Sequence, residues 1–193
     1  MYVEPYPSSA EGSSINLSFP KVGGSHGHVA FAIAQKFPSL SIIVQDLGPV
    51  VAAARDNVPS ELGSRVTFMP YNFLTEQQPV KNADVYFFRW VLHNWADRYC
   101  TKILRNLIPA LKPGAKIVVN DIVLPEAGAI PHWHEARVRA LDLAMASVQN
   151  SHERELADWA KIFEQADPGF EFQGAEKPVG SDLWILVAEW KGR

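Results

Sequence analysis

Short apolar runs alternate along this chain with stretches in which apolar residues recur every three to four positions. The runs at residues 15–21, 41–46, 65–69, 83–88 and 115–122 predict strands, and later runs near 170–173 and 183–190 predict two more. Between them the periodic stretches predict helices at 28–36, 49–57, 98–111, 133–148 and 153–166. In the third helix Tyr99, Ile103, Leu104, Leu107, Ile108 and Leu111 form one stripe, and in the last Leu156, Trp159, Ala160 and Phe163 do. Strands that alternate with helices imply an α/β fold with a mainly parallel sheet covered on both faces. Ligands of such sheets bind at the carboxyl ends of the strands, near the topological switch point. Residues 1–14, rich in Pro, Ser and Gly and without periodicity, read as a flexible lead-in to a single domain over 15–193.

Composition narrows the function classes. The net charge of −3 and the lack of a basic run give no electrostatic footprint for nucleic acid. No apolar stretch is long enough to span a membrane, and no charged n-region with an apolar core opens the chain. Cys100 is the single cysteine, which excludes an internal disulfide. A cytoplasmic protein is the expectation. His132-Trp133-His134 has the look of a metal motif, but alternate residues at a helix start point different ways and no acidic cluster completes it, so no metal is expected.

Three segments carry candidate chemistry, each at the end of a predicted strand. The first is the glycine turn Val22-Gly23-Gly24-Ser25-His26-Gly27-His28. Glycines here let the backbone turn sharply and approach a ligand. The second ends in Asp46-Leu47, about 20 residues on, where a carboxylate can accept from both hydroxyls of a ribose. The bland alternative is a tight turn, with Asp46 capping a helix. The third, Arg89-Trp90-Val91-Leu92-His93-Asn94-Trp95, places a histidine just past a buried strand, where it serves as a general base or packs between two tryptophans.

Taken together, the segments VGGSHGHV, IIVQDL, ADVYFFRWVLHNWAD, IPALKPGAKIVVNDIVLPE and HERELADWAKIFEQADPGF resemble the catalytic domain of plant and fungal S-adenosylmethionine-dependent O-methyltransferases, in particular the fungal secondary-metabolite branch. The resemblance covers roughly residues 15–191 and implies a Rossmann-like class I methyltransferase fold with a seven-stranded sheet. It implies that Gly23, Gly24, Gly27, Asp46, Leu47, Asn72, Phe73 and Arg89 hold S-adenosylmethionine, and that His93 takes the proton from a phenolic or enolic hydroxyl. Asp121 and Glu153 match the acids that flank this base, although Asp121 also reads as a polar strand end and Glu153 as the far half of a capping box begun by Asn150. Trp90, Asp142 and Met145 match the substrate side, with core packing the rival reading for Met145 and for Trp90.

The chain departs from that pattern at three places. Family members usually carry an acidic residue before the glycine turn, which favours the cationic amino end of the cofactor. This chain has Lys21 there, preceded by Pro20, which removes a backbone donor from a strand expected to be central. Asn72 replaces the usual aspartate near the adenine. Cofactor binding that is weakened or lost is therefore one expectation. The family's preceding helical domain, which dimerises and closes over the substrate, has no counterpart in this sequence; a homodimer or a complex with a full-length relative follows as an expectation. Three functions follow: an O-methyltransferase acting on a small aromatic or polyketide hydroxyl, the same pocket turned to cofactor-independent proton chemistry, and a non-catalytic partner subunit.

Overall fold

A computed structural model describes residues 17–192. The elements run β1 (Leu17–Val22), α1 (His28–Lys36), β2 (Leu40–Asp46), α2 (Gly48–Ala54), β3 (Val66–Pro70), β4 (Val85–Arg89), α3 (Asp97–Leu107), β5 (Lys116–Asp121), α4 (His132–Gln149), α5 (Leu156–Ala166), β6 (Phe170–Glu176) and β7 (Trp184–Trp190). They form one seven-stranded sheet in the order β3-β2-β1-β4-β5-β7-β6. Only β7 runs against the others, paired antiparallel to both β5 and β6. The chain is thus an α/β protein of the Rossmann-like kind, and the order reverses between β1 and β4, the switch point at which sheets of this kind bind ligands.

Strand alternation divides the core between the two faces. Tyr86 and Phe88 of β4 and Ile117 and Val119 of β5 bury themselves against α3 and α5, together with Leu104, Trp159 and Phe163. Ile42 and Val44 of β2 pack on the opposite face with Ala30, Phe31 and Val51. Two-sided burial is what a parallel sheet requires of its strands.

Most predicted elements stand within two residues of their observed ends. Ile15 and Asn16, predicted as the start of the first strand, and the lead-in at 1–14 lie outside the described residues. The helix predicted to Leu111 ends at Leu107, because Pro109 cannot continue it and a 3₁₀ turn follows over Ile108–Ala110. Tyr99 leaves the predicted stripe: it is exposed, and Cys100 and Thr101 are buried with Ile103, Leu104 and Leu107 in its place. The helix predicted from residue 153 starts at Leu156 instead. Pro20 is tolerated because β4 pairs only with Lys21 and Val22, so β1 has a single neighbour at Pro20, as at an edge.

No residue of α4 is fully buried, and Trp133, Leu143 and Val148 on it are exposed. Among the described residues no helix is long and apolar enough to cross a membrane.

Candidate active site

The site lies at the carboxyl ends of β1, β4 and β5. Past β4 the chain turns at Trp90, whose φ of +55° is in the left-handed region that a bulky residue avoids. This strained turn leads into a 3₁₀ turn, Leu92–Asn94, which carries His93 inward to 6% exposure. The Trp90 ring packs 4.6 Å from the His93 ring, centroid to centroid.

His93 is held from below by the segment 151–154. Its Nδ1 lies 3.0 Å from Glu153 Oε1, and Glu153 is itself buried. A carboxylate accepts from an Nδ1–H, the arrangement that leaves Nε2 as the basic nitrogen. Ser151 Oγ donates to the His93 carbonyl at 2.6 Å. The Glu153 N–H donates to Asp142 Oδ1 at 2.8 Å, which ties this segment to α4. Glu153 is therefore no helix cap, and the capping-box expectation is corrected: the pull of a buried histidine outweighs a helix end. Asp142, matched to the substrate side, spends one carboxylate oxygen on positioning Glu153.

Arg154, to which the sequence reading gave no role, is fully buried beneath the same loop. Its guanidinium donates to the Trp95 carbonyl at 2.6 Å, to the Leu92 carbonyl at 3.2 Å and to Asp97 Oδ1 at 2.7 and 2.9 Å. Cys100 Sγ donates to the same two carbonyls, both at 3.2 Å. The loop that presents His93 is thus pinned from two sides. In sequence Arg154 is one charge in His-Glu-Arg-Glu, indistinguishable from a solvated helix start.

Asp121 ends β5 with no exposure, and among the described residues neither of its carboxyl oxygens, nor Glu153 Oε2, closes a hydrogen bond. Burial pushes the Asp121 carboxyl up to about 7; the Glu153 charge adds to that push, while His93 and Arg154 oppose it. Native proteins rarely leave buried acids unpaired, and a site that handles protons is one reason to do so. The cost shows in stability. An unfolded aspartate titrates near pH 4. Between there and the raised folded value, the folded chain keeps a proton that the unfolded chain has released, so stability falls as pH rises. Asp121→Asn is expected to stabilise the chain at pH 8, by up to a few kcal/mol, with the gain shrinking toward pH 4. Thermal unfolding at pH 8 and pH 5 measures this, and a variant less stable than its parent at pH 8 would make the carboxylate a structural partner instead.

A largely apolar cavity of about 340 Å3 adjoins the other side of Trp90, large enough for a small ligand. Ile122, Val138, Leu141 and Trp184 wall it, with Arg137 and Asp182 among its lining. Met145 lies one helical turn beyond Leu141 and is half-buried, outside this cavity.

The nucleoside residues stand at or just past the carboxyl ends of β1, β2, β3 and β4. Gly23 and Gly27 take φ of +63° and +84°, and a Cβ on Gly24 would run into Val44, so the turn needs its glycines. Asp46 accepts from the N–H groups of Ser25 at 2.7 Å and Leu47 at 2.8 Å, one on each oxygen, which leaves further lone pairs for a ribose. Leu47 is half-exposed beside it. Asn72 Oδ1 accepts from the Leu74 N–H at 3.0 Å, and Phe73 meets Trp95 edge to face. Arg89 Nε donates to Asn120 Oδ1 at 3.0 Å. The nucleoside half of S-adenosylmethionine fits these residues. Its amino-acid half does not: Lys21, 3% exposed, places Nζ 3.2 Å from the Gly23 carbonyl and brings a cation where a cationic tail would lie. Burial, and Arg89 after it, lower the Lys21 ammonium to about 8, against the pull of Asp46 and Asp121. Among the described residues no group of three or more His, Cys, Asp or Glu is placed to hold a metal ion.

The profile of the O-methyltransferase domain matches residues 16–171. The chain is 49% identical over 172 residues to the grayanic acid biosynthesis cluster O-methyltransferase of Cladonia grayi, covering 88% of this chain and 38% of that protein. It is 40% identical over 175 residues to the chlorophenol O-methyltransferase of Trichoderma longibrachiatum, covering 90% and 37%. The chain thus spans about two-fifths of the length of these relatives. Among solved structures, LepI in complex with S-adenosylmethionine superposes with a TM-score of 0.79 at 30% identity, over 91% of this chain and 43% of that one. OxaC in complex with sinefungin and meleagrin superposes at 0.80 and 31%, over 96% and 46%. A structure described as a pericyclic reaction enzyme superposes at 0.80 and 30%, over 94% and 45%.

Proposed function

Because this chain belongs to the O-methyltransferase domain family, with homologues in fungal secondary metabolism, we propose that it is an enzyme whose chemical step is removal of a proton from an acidic hydroxyl of a small aromatic or polyketide molecule by His93 Nε2. The observation that carries this reading is the buried His93–Glu153 pair, with Nδ1 occupied and one basic nitrogen left. Glu153 fixes the tautomer and stabilises the imidazolium once the proton has moved. The unpaired Asp121 carboxyl beside the pair favours the same charge. Trp90 offers an apolar wall to a flat ring.

In the family, S-adenosylmethionine supplies the methyl that such an oxygen accepts. Asp46 and the glycine turn support O-methylation as the outcome in this chain too. Lys21 favours a second outcome, in which the same base works without a methyl donor, by isomerisation, dehydration, cyclisation or a pericyclic step. The test is incubation of the purified chain with a panel of phenolic and enolic polyketides, with and without S-adenosylmethionine, read by mass spectrometry. A product heavier by one methyl supports O-methylation. A rearranged product formed without the cofactor supports the second outcome. No product from any hydroxylated substrate would defeat the proposal.

A further inference from the structure

Lys21 has no part in the proton step, yet it is a buried cation at the mouth of the nucleoside site. It stands on β1 one residue before the glycine turn, and its Nζ lies on the Gly23 carbonyl, the first acceptor that the turn presents. Nζ also lies 5.9 Å from the Phe87 ring centroid. The charged groups that act on it are Arg89 on β4, Asp46 at the end of β2 and Asp121 at the end of β5. Two cations therefore face two carboxyl groups. A ligand with its own ammonium and sulfonium adds two cations and one carboxylate to that set, and must also displace Nζ from the Gly23 carbonyl. A ligand with an uncharged end leaves the set as it is.

We propose that the Lys21 ammonium is a resident substitute for the cationic end of the cofactor, so that the site selects nucleosides whose 5′ substituent is uncharged. Asp46 takes the ribose hydroxyls of such a ligand with the lone pairs that Ser25 and Leu47 leave over. The glycine turn lets the sugar approach, and Lys21 closes the end where an amino acid would extend. The inference concerns binding alone and stands apart from turnover at His93, so each can fail while the other holds.

Calorimetric titration of the full chain tests it, with 5′-methylthioadenosine, S-adenosylhomocysteine and S-adenosylmethionine as probes. The unaltered chain is expected to bind 5′-methylthioadenosine at least about tenfold more tightly than S-adenosylmethionine, since like charges at close range readily cost that factor, with S-adenosylhomocysteine, which lacks the sulfonium, between the two. Lys21→Asp should reverse the order. Lys21→Met, which keeps the buried stem and removes the charge, should bring the three affinities together, and it decides the matter should circular dichroism show that the aspartate variant does not fold. Equal or tighter binding of S-adenosylmethionine by the unaltered chain would overturn the proposal. Absence of 5′-methylthioadenosine binding by a folded sample would do so too, as would an unchanged order in Lys21→Met.

Discussion

Replacing His93 with glutamine is expected to slow turnover by about 10²- to 10⁴-fold, the usual contribution of a positioned general base. Glutamine is the informative substitution because its amide N–H can still donate to Glu153, so the loop keeps its internal contact. Alanine would remove the base and also leave the buried Glu153 carboxylate without its one partner, mixing a folding defect with a catalytic one. The measurement is single-turnover kinetics on any substrate found in the screen, with circular dichroism as the control for folding. Turnover by His93→Gln within tenfold of the parent would move the base elsewhere and leave His93 a packed residue between Trp90 and Glu153.

The largest loss of stability is expected at Arg154. Arg154→Met keeps most of the side-chain volume but strips the Leu92 and Trp95 carbonyls of their guanidinium donor and Asp97 of its ion pair. The Asp97 side chain is 48% exposed, so the ion pair itself contributes little. The carbonyls decide the size of the effect: the bond to Leu92 is buried and that to Trp95 partly so, and each buried acceptor left underpaired costs about 1–3 kcal/mol. With the lost contact to the Trp159 ring, 5.3 Å from the guanidinium carbon, the total should reach about 3 kcal/mol or more. Urea unfolding measures it. Lysine should rescue little, because a point charge cannot serve two carbonyls and a carboxylate as a planar fork does. A loss below about 1 kcal/mol would mean that the Trp95 N–H on the Leu92 carbonyl, with the Cys100 thiol, keeps these acceptors satisfied without the guanidinium.

The elements that local pattern dictates were legible in the sequence. β2, β4 and β5 are apolar runs that any parallel sheet would bury, and α1 follows the glycine turn with an apolar stripe of its own. The positions of His93 and Asp46, just past strand ends, follow from the same pattern. What the sequence hid was decided by contacts between distant segments. Asn150 and Glu153 stand at capping-box spacing, yet Glu153 sits under His93, sixty residues away in the chain. Arg154 looks like surface charge until its partners across the fold are known. The left-handed turn at Trp90 has no local signal, since neither glycine nor asparagine marks it. Lys21 could be read as a departure in sign; that it is buried with its ammonium on the Gly23 carbonyl could not.

The α4 helix couples two tasks to one weak anchorage. It has no fully buried residue, so little apolar area holds it down, and segments of that kind open first in the native state. Yet Asp142 on this helix grips the backbone of Glu153, and Val138 and Leu141 wall the cavity beside Trp90. Were α4 to swing out, the pocket would lose a wall and Glu153 its tether in the same motion. Anything that held this helix down would, through Asp142 and Glu153, also hold the imidazole in its orientation. Occupancy and readiness to remove a proton are thereby fastened to a single mechanical part.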